Sequence, residues 1–284
     1  MNFVIVIGAM KSGTTSLFNI LGQHPEICSA KTKDADFFCN EPRDLSNNSY
    51  QSQYHWNPGV HKVALEASVA YTKAPYVKDI PKKIYSSGFG DFKFIYMLRH
   101  PLRRIESQIR HGIFAGWGKS LDEEFPQSAV EFSKYGLQLE KYLKYYGEEK
   151  VHLLTMEDFK STPNLMLKNI CQFLDINSEF KFSNPNEVYN SGAFFNGSKI
   201  TAKITQSRFG QTIANKFLTP DMKNLIRNFL SIENPTSQEQ DECKNRWRLN
   251  DSEEQRILDL LKADLNRLEI KYGVDVRSVW NLKI

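Results

Sequence analysis

Short apolar runs alternate along the chain with stretches of helical periodicity. Phe3-Val4-Ile5-Val6-Ile7 is unbroken apolar sequence with four β-branched residues, the pattern of a strand buried on both faces. A glycine-bearing loop, Gly8 to Gly13, follows it. Leu17, Ile20 and Leu21 then stand at helical spacing, and Gly22 and Pro25 mark that helix's end. Phe92 to Leu98 and Val151 to Leu154 read as two further strands, with shorter ones at Ile27 to Ala30 and Val63 to Leu65. Pro101 suits the first turn of a helix, where its missing N–H has no partner to lose. That helix is predicted to run to about His111-Gly112, with a loop over 112–118 that contains Gly116 and Trp117. Ser133 to Tyr146 reads as a helix with an aromatic stripe. Pro163 opens another, with Leu165, Leu167, Ile170, Phe173 and Leu174 as its buried face. Asn, Gly, Ser and Lys dominate from Asn184 to Phe209, as in a long functional loop. Helical spacing returns at Met222 to Leu230 and at Glu253 to Tyr272, where Ile257, Leu258, Leu261, Leu265 and Leu268 share a face. Strands alternating with helices predict an α/β fold of three layers, a central, mostly parallel sheet flanked by helices. One domain is expected over residues 1–284, with a helical C-terminal part from 220 to 284.

Composition narrows the function more than the fold. The 284 residues are 40% hydrophobic and 25% charged, with net charge +4. That is a globular balance, mildly basic, suited to an anionic ligand but short of a dedicated nucleic-acid binder. Cys28, Cys39, Cys171 and Cys243 form no CxxC pair, so neither a zinc ribbon nor a disulfide scaffold follows. The apolar run Phe3 to Ile7 is too short to span a membrane or to serve as a signal h-region. A soluble, cytoplasmic protein without a membrane segment is therefore expected.

The strongest chemical signal is Gly8-Ala9-Met10-Lys11-Ser12-Gly13-Thr14-Thr15-Ser16-Leu17, set between a strand and a helix. Such a junction aims backbone N–H groups and the positive helix end at one point, which binds phosphate. Gly8 and Gly13 have the spacing of a Walker A loop, and Thr15 falls where the magnesium-binding Ser/Thr stands there. Position 14, however, is Thr rather than Lys, and the lysine has moved into the loop as Lys11. The expectation is a P-loop-like fold whose phosphate loop is of another class. A P-loop kinase or NTPase is one alternative, and a non-catalytic nucleotide-binding module of the same fold is another.

The segment Val6 to Leu17 resembles the 5′-phosphosulfate loop of sulfotransferases that use 3′-phosphoadenosine-5′-phosphosulfate (PAPS). Phe92 to Pro101, followed by Ser107, resembles that family's 3′-phosphate motif: a strand, Arg99, a turn, and a Ser eight residues on. His100 stands where Asp or Asn is commoner. Lys33-Asp34-Ala35-Asp36-Phe37-Phe38 resembles the family's acidic-x-x-Phe-Phe segment. Glu66-Ala67-Ser68-Val69-Ala70-Tyr71 resembles its Glu-Lys-Ser-Pro-Ala-Tyr segment, without the lysine and proline. Asp264-Leu265 and Val276 to Trp280 resemble C-terminal elements of bacterial members. The likeness is nearer the heparan-type and bacterial carbohydrate enzymes than the cytosolic phenol and steroid ones.

The resemblance implies transfer of a sulfuryl group from PAPS to an acceptor hydroxyl or amine, with 3′-phosphoadenosine-5′-phosphate (PAP) released and no metal required. Lys11, Ser12, Gly13, Thr14, Thr15 and Ser16 would bind the 5′ end, and Arg99 and Ser107 the 3′-phosphate. The loop 184–209 would cover the cofactor, with Lys199 as a further 3′-phosphate ligand. Lys11 would also act in catalysis, on charge building at the leaving phosphate. The family's base lies three positions before the Phe-Phe pair, which here is Asp34, although heparan-type members have Glu. Asp36, Glu66 and His111 are the reserves for base or acceptor contact. A sugar, another small alcohol, a glycolipid or a carrier-bound hydroxyl all remain open as acceptor, and nucleic acid is not expected as a partner.

Overall fold

The computed structural model describes residues 1–39, 46–114, 127–187 and 248–282. Five strands form one sheet: β1 (Asn2–Gly8), β2 (Ile27–Ser29), β3 (Val63–Ala67), β4 (Asp91–Leu98) and β5 (Val151–Thr155). The order is β2-β3-β1-β4-β5 and every pairing is parallel. The most apolar runs take the middle positions. Val4, Ile5, Val6, Ile7, Phe94 and Ile95 are wholly buried, while the three-residue β2 lies at an edge, where a short strand exposes few unpaired backbone groups.

Alternation along β1 and β4 sorts side chains to two faces. Val4, Val6, Ile95 and Met97 pack with α1 (Thr14–Leu21) and with Phe159, Leu167, Ile170 and Cys171. These last come from α7 (Met156–Ser161) and α8 (Pro163–Phe173). The opposite face is aromatic. Phe3 stacks on Phe92 and meets Tyr50 of α2 (Asn47–Gln51). Phe94 meets Tyr142 and Tyr146 of α6 (Tyr135–Tyr146), centroids 4.9 and 4.7 Å away. Helices thus cover both faces, as the alternation predicts. The helix α3 (Ile80–Ser87) packs beside α6.

The helix after β4, α4 (Pro101–Phe114), begins at the proline but runs past Gly112 into the predicted loop. The remainder of that loop, with Trp117, lies outside the described residues. Gln127–Glu131 forms α5, and α6 starts two residues after the expected Ser133. In α8 the expected buried face needs one correction. Leu167 and Ile170 are buried and Phe173 packs partly against them, but Leu165 is 53% exposed. Two residues of helix turn it about 200° from Leu167, to the far side. The short helices α2, α3 and α7 carry no long apolar period and leave no helical signal in the sequence.

The C-terminal helices are α9 (Asp251–Tyr272) and α10 (Val276–Trp280). Asn250 and Glu253 form a reciprocal capping box at the start of α9, and Gly273 ends it in the left-handed conformation. Ile257, Leu261, Leu265 and Leu268 face inward as predicted. Asp264 accepts from the backbone N–H groups of Gly136 and Leu137, 2.9 and 2.8 Å away, and so caps α6 from a distant helix. Among the described residues, those from 249 to 282 share one compact unit with those up to 187. Met222 to Leu230, which begin the expected C-terminal part, lie outside the described residues.

Candidate active site

Both phosphate motifs leave the sheet at the carboxyl ends of β1 and β4, which pair side by side. The Ala9 N–H donates to the Met97 carbonyl at 2.7 Å and the Ser12 N–H to the Ala9 carbonyl at 3.1 Å. At Gly8 the backbone is left-handed (φ 150°), and a Cβ there would stand 2.2 Å from Thr72 Oγ1. Thr72 occupies that space because its hydroxyl donates to the Ile7 carbonyl at 2.9 Å. Gly13, at φ 90°, caps α1 without any side-chain bond, and no acidic residue stands in the first turn. The first N–H groups of α1 therefore lack the partners that a capping side chain supplies. Ser12 is wholly buried, and its Oγ has no hydrogen-bond partner. Buried hydroxyls are nearly always bonded, so this one fits a loop shaped to hold an anion.

Arg99 joins the two motifs. Its Nη1 donates to the Lys11 carbonyl at 2.8 Å. The Lys11 ammonium is pushed below the usual lysine range by burial first, then by Arg99 and Arg110. Burial likewise lowers Arg99, against the opposing charge of Glu157. Three cations held at one place is the arrangement a multiply charged anion stabilises. Ser107 lies half-buried two turns into α4, on the same helix as Arg110. The turn itself is fixed by three bonds. Tyr135 donates to the Arg99 carbonyl at 2.7 Å, the His100 N–H donates to Glu157 Oε1 at 3.1 Å, and Trp280 Nε1 donates to Glu157 Oε2 at 3.0 Å. Beneath the loop Arg104 is fully buried and donates to Ser133 Oγ (2.8 Å), Gln108 Oε1 (2.7 Å), the Met10 carbonyl (3.4 Å) and the Ala129 carbonyl.

The acidic segment comes after β2. Asp34 and Asp36 both take left-handed backbone, φ 55° and 51°. The Asp34 N–H donates to the Ala67 carbonyl (2.8 Å), and its Oδ1 accepts from the Val69 N–H (3.2 Å). Its carboxylate is 42% exposed and pairs with Lys33 Nζ at 2.5 Å. Asp36 is half-buried and its carboxyl is pushed up by burial first, then by the Asp34 charge, against the pull of Lys73. Lys73 also lowers His111, after burial and Lys11. Lys73 thus acts electrostatically on both the acidic segment and His111 of α4. Glu66 differs from the two aspartates. It is wholly buried, and its two oxygens already accept from Tyr50, Ser68 and Tyr71, so its position does not favour the reserve role of base or acceptor contact.

The structure brings Lys11, Ser12, Gly13, Thr14, Arg99 and the start of α4 together at the carboxyl ends of the adjacent strands β1 and β4. Lys199 lies outside the described residues. Sequence reasoning missed Arg110, Lys73, Arg104 and Glu157. Arg110 had a readable signal, being one helical turn past Ser107 on the same helix face. Glu157 had none, because its partners His100 and Trp280 are 57 and 123 positions away.

Comparison with known proteins identifies the family. Residues 2–214 match the family described as the sulfotransferase domain. Heparan sulfate glucosamine 3-O-sulfotransferase 5 of Mus musculus is 21% identical over 210 residues, covering 69% of this chain and 57% of that protein. The bifunctional heparan sulfate N-deacetylase/N-sulfotransferase 1 of Caenorhabditis briggsae is 21% identical over 202 residues, covering 63% of this chain and 23% of that protein. The chain thus matches little more than half the length of the first relative and under a quarter of the second. A sulfotransferase from Alicyclobacillus acidocaldarius superposes with a TM-score of 0.61 over 98% of both chains at 20% identity, which shows a shared fold. With the family's domain matched over most of its length, the chain belongs to the sulfotransferase family.

Proposed function

We propose that the protein transfers a sulfuryl group from PAPS to an acceptor hydroxyl, and that the acceptor is a carbohydrate. One observation carries the reading: the Arg99 to Lys11 bond, which joins the two anion-binding motifs at one point with the orphaned Ser12 hydroxyl beside them. A donor charged at both ends needs two such clamps. The loop residues Lys11, Ser12, Gly13, Thr14, Thr15 and Ser16 would hold its 5′ end. Arg99 and Ser107 would hold its 3′-phosphate, with Arg110 adding charge. When bound, PAPS supplies the activated sulfuryl group.

The chain's own contribution is positioning and charge, by analogy with phosphoryl transfer. Lys11 holds a positive charge where the leaving phosphate gathers negative charge. Asp34, exposed on a loop tied down at its backbone, receives the acceptor's proton. Asp36, its carboxyl raised by burial, is the second carboxyl within the same segment. A carbohydrate acceptor is favoured by the heparan sulfate enzymes among the relatives. Position 14, a buried threonine, lacks the lysine that a P-loop kinase would use.

Thermal unfolding with PAP, and separately with ATP and magnesium, tests the donor. At about 100 times its Kd a ligand adds roughly 2.7 kcal/mol of stability. Stabilisation by PAP without added metal, lost in Lys11→Ala, is expected. A response to ATP with magnesium alone would sink the proposal.

A further inference from the structure

Glu66 is the most deeply buried carboxylate near the site, and it accepts three hydroxyl donors. Tyr50 donates to Oε2 at 2.6 Å, while Ser68 and Tyr71 donate to Oε1 at 2.9 and 2.7 Å. Two of those hydroxyls also receive a bond from the loop. Ser68 Oγ accepts from the Asp36 N–H at 3.2 Å, and Tyr71 Oη accepts from the Phe38 N–H at 3.2 Å. A hydroxyl has one proton to give and lone pairs to receive with. The carboxylate takes that proton and so leaves each oxygen facing the loop as an acceptor. The orientation of both hydroxyls is thereby set from below.

The relay ends on the backbone of the segment that carries both aspartates. Asp34 and Asp36 hold left-handed backbone that ordinary residues adopt reluctantly, so something must over-determine it. The N–H of Asp36 and the N–H of Phe38 are the points held by Ser68 and Tyr71. Phe37 and Phe38 bury their rings against Tyr50, 4.9 and 5.2 Å away. Tyr50 thus contributes packing under the loop, while its hydroxyl serves Glu66 and accepts from Tyr54 at 3.4 Å.

We infer that Glu66 is a positioning residue: through Ser68 and Tyr71, its buried carboxylate fixes the loop that presents Asp34 and Asp36 to the acceptor. The inference rests on the proposed sulfuryl transfer only for what the loop is used for. The relay itself belongs to the geometry, and it gives Glu66 a role other than that of base.

Amide hydrogen exchange resolved to the residue, on the full chain, tests it. Glu66→Gln, Ser68→Ala and Tyr71→Phe are each compared with Tyr50→Phe. Tyr50→Phe also removes a bond to Glu66 while leaving the Ser68 and Tyr71 bonds to the loop in place. Exchange at Asp36 in Ser68→Ala and at Phe38 in Tyr71→Phe is expected to quicken tenfold or more, and at both in Glu66→Gln. Amides of α1 keep the wild-type rate, and so do the loop amides in Tyr50→Phe. PAP affinity is expected to stay within twofold of wild type in all four. With a chemically desulfated heparin oligosaccharide as acceptor probe, turnover in Tyr71→Phe is expected to fall tenfold or more at unchanged KM for PAPS. Equal quickening in Tyr50→Phe would reduce the network to general packing and overturn the inference, as would unchanged loop exchange in Tyr71→Phe. If Glu66→Gln does not fold, the Ser68 and Tyr71 variants decide alone. Failure of PAP to stabilise the wild type would remove the donor assignment and leave the exchange result standing.

Discussion

Lys11 concentrates the electrostatics of the proposed donor site in one titratable group. Burial, Arg99 and Arg110 all lower it, whereas a bound polyanion favours its charged form. The bound lysine is therefore the more basic of the two states. PAP affinity is expected to be full while free Lys11 is protonated and to fall as pH rises through its lowered value, in the window below the ordinary lysine value of about 10.4. Calorimetric titration of PAP across that window reads the slope. Lys11→Ala should abolish the slope and lower turnover by on the order of 10²–10³. At the neighbouring Gly8, the sequence made the glycine legible through its place after an apolar run. What it could not show is Thr72, whose hydroxyl fills the space a Cβ would take. Gly8→Ala is accordingly expected to abolish PAP stabilisation in the thermal assay, and a normal PAP response would exclude the close contact.

At the scale of elements, what could be read depended on how a segment is buried. Strands β1 and β4 lie in the middle of the sheet, so their apolar runs announce them without help from context. The short α2 and α3 are held by aromatic contacts from elsewhere, through Tyr50 and Tyr85, and carry little period of their own. The phosphate loop was legible because its chemistry is local, with glycines, lysine and hydroxyls in one stretch. Its support was not. Arg104 reaches from α4 to α5, to Ser133 and to the Met10 carbonyl, and an arginine in a helix beside Arg103 looks like surface until the fold closes over it. Replacing it with leucine removes these donors at once. Each buried group left without a partner costs about 1–3 kcal/mol, so chemical denaturation of Arg104→Leu should show a loss of that order or greater. A stability equal to wild type would mean that the loop stands without it.

For the whole molecule, Glu157 ties the last helix to the turn that carries Arg99. Its two oxygens serve the His100 N–H and Trp280 Nε1, and Trp280 is almost wholly buried. Trp280→Phe keeps much of the packing and deletes the donor. It is expected to weaken PAP binding several-fold in calorimetry while moving the unfolding midpoint little. Equal losses in both would assign Trp280 to packing alone. Contacts this remote have no trace in local sequence pattern, which is why the resemblance at Val276–Trp280 could mark the element without giving its use.

The order β2-β3-β1-β4-β5 separates two tasks across the central strand. In the proposed reaction the cations that would hold the donor leave β1 and β4, and the carboxylates that would serve the acceptor are held by the segments after β2 and β3. Residues 27–39 and 63–73 therefore behave as a cassette. Grafted together from a relative, they are expected to redirect the enzyme to another acceptor while nucleotide affinity is kept. Grafted singly, they part Glu66 from the loop it steadies, and the chimaera should hold PAP yet turn over poorly.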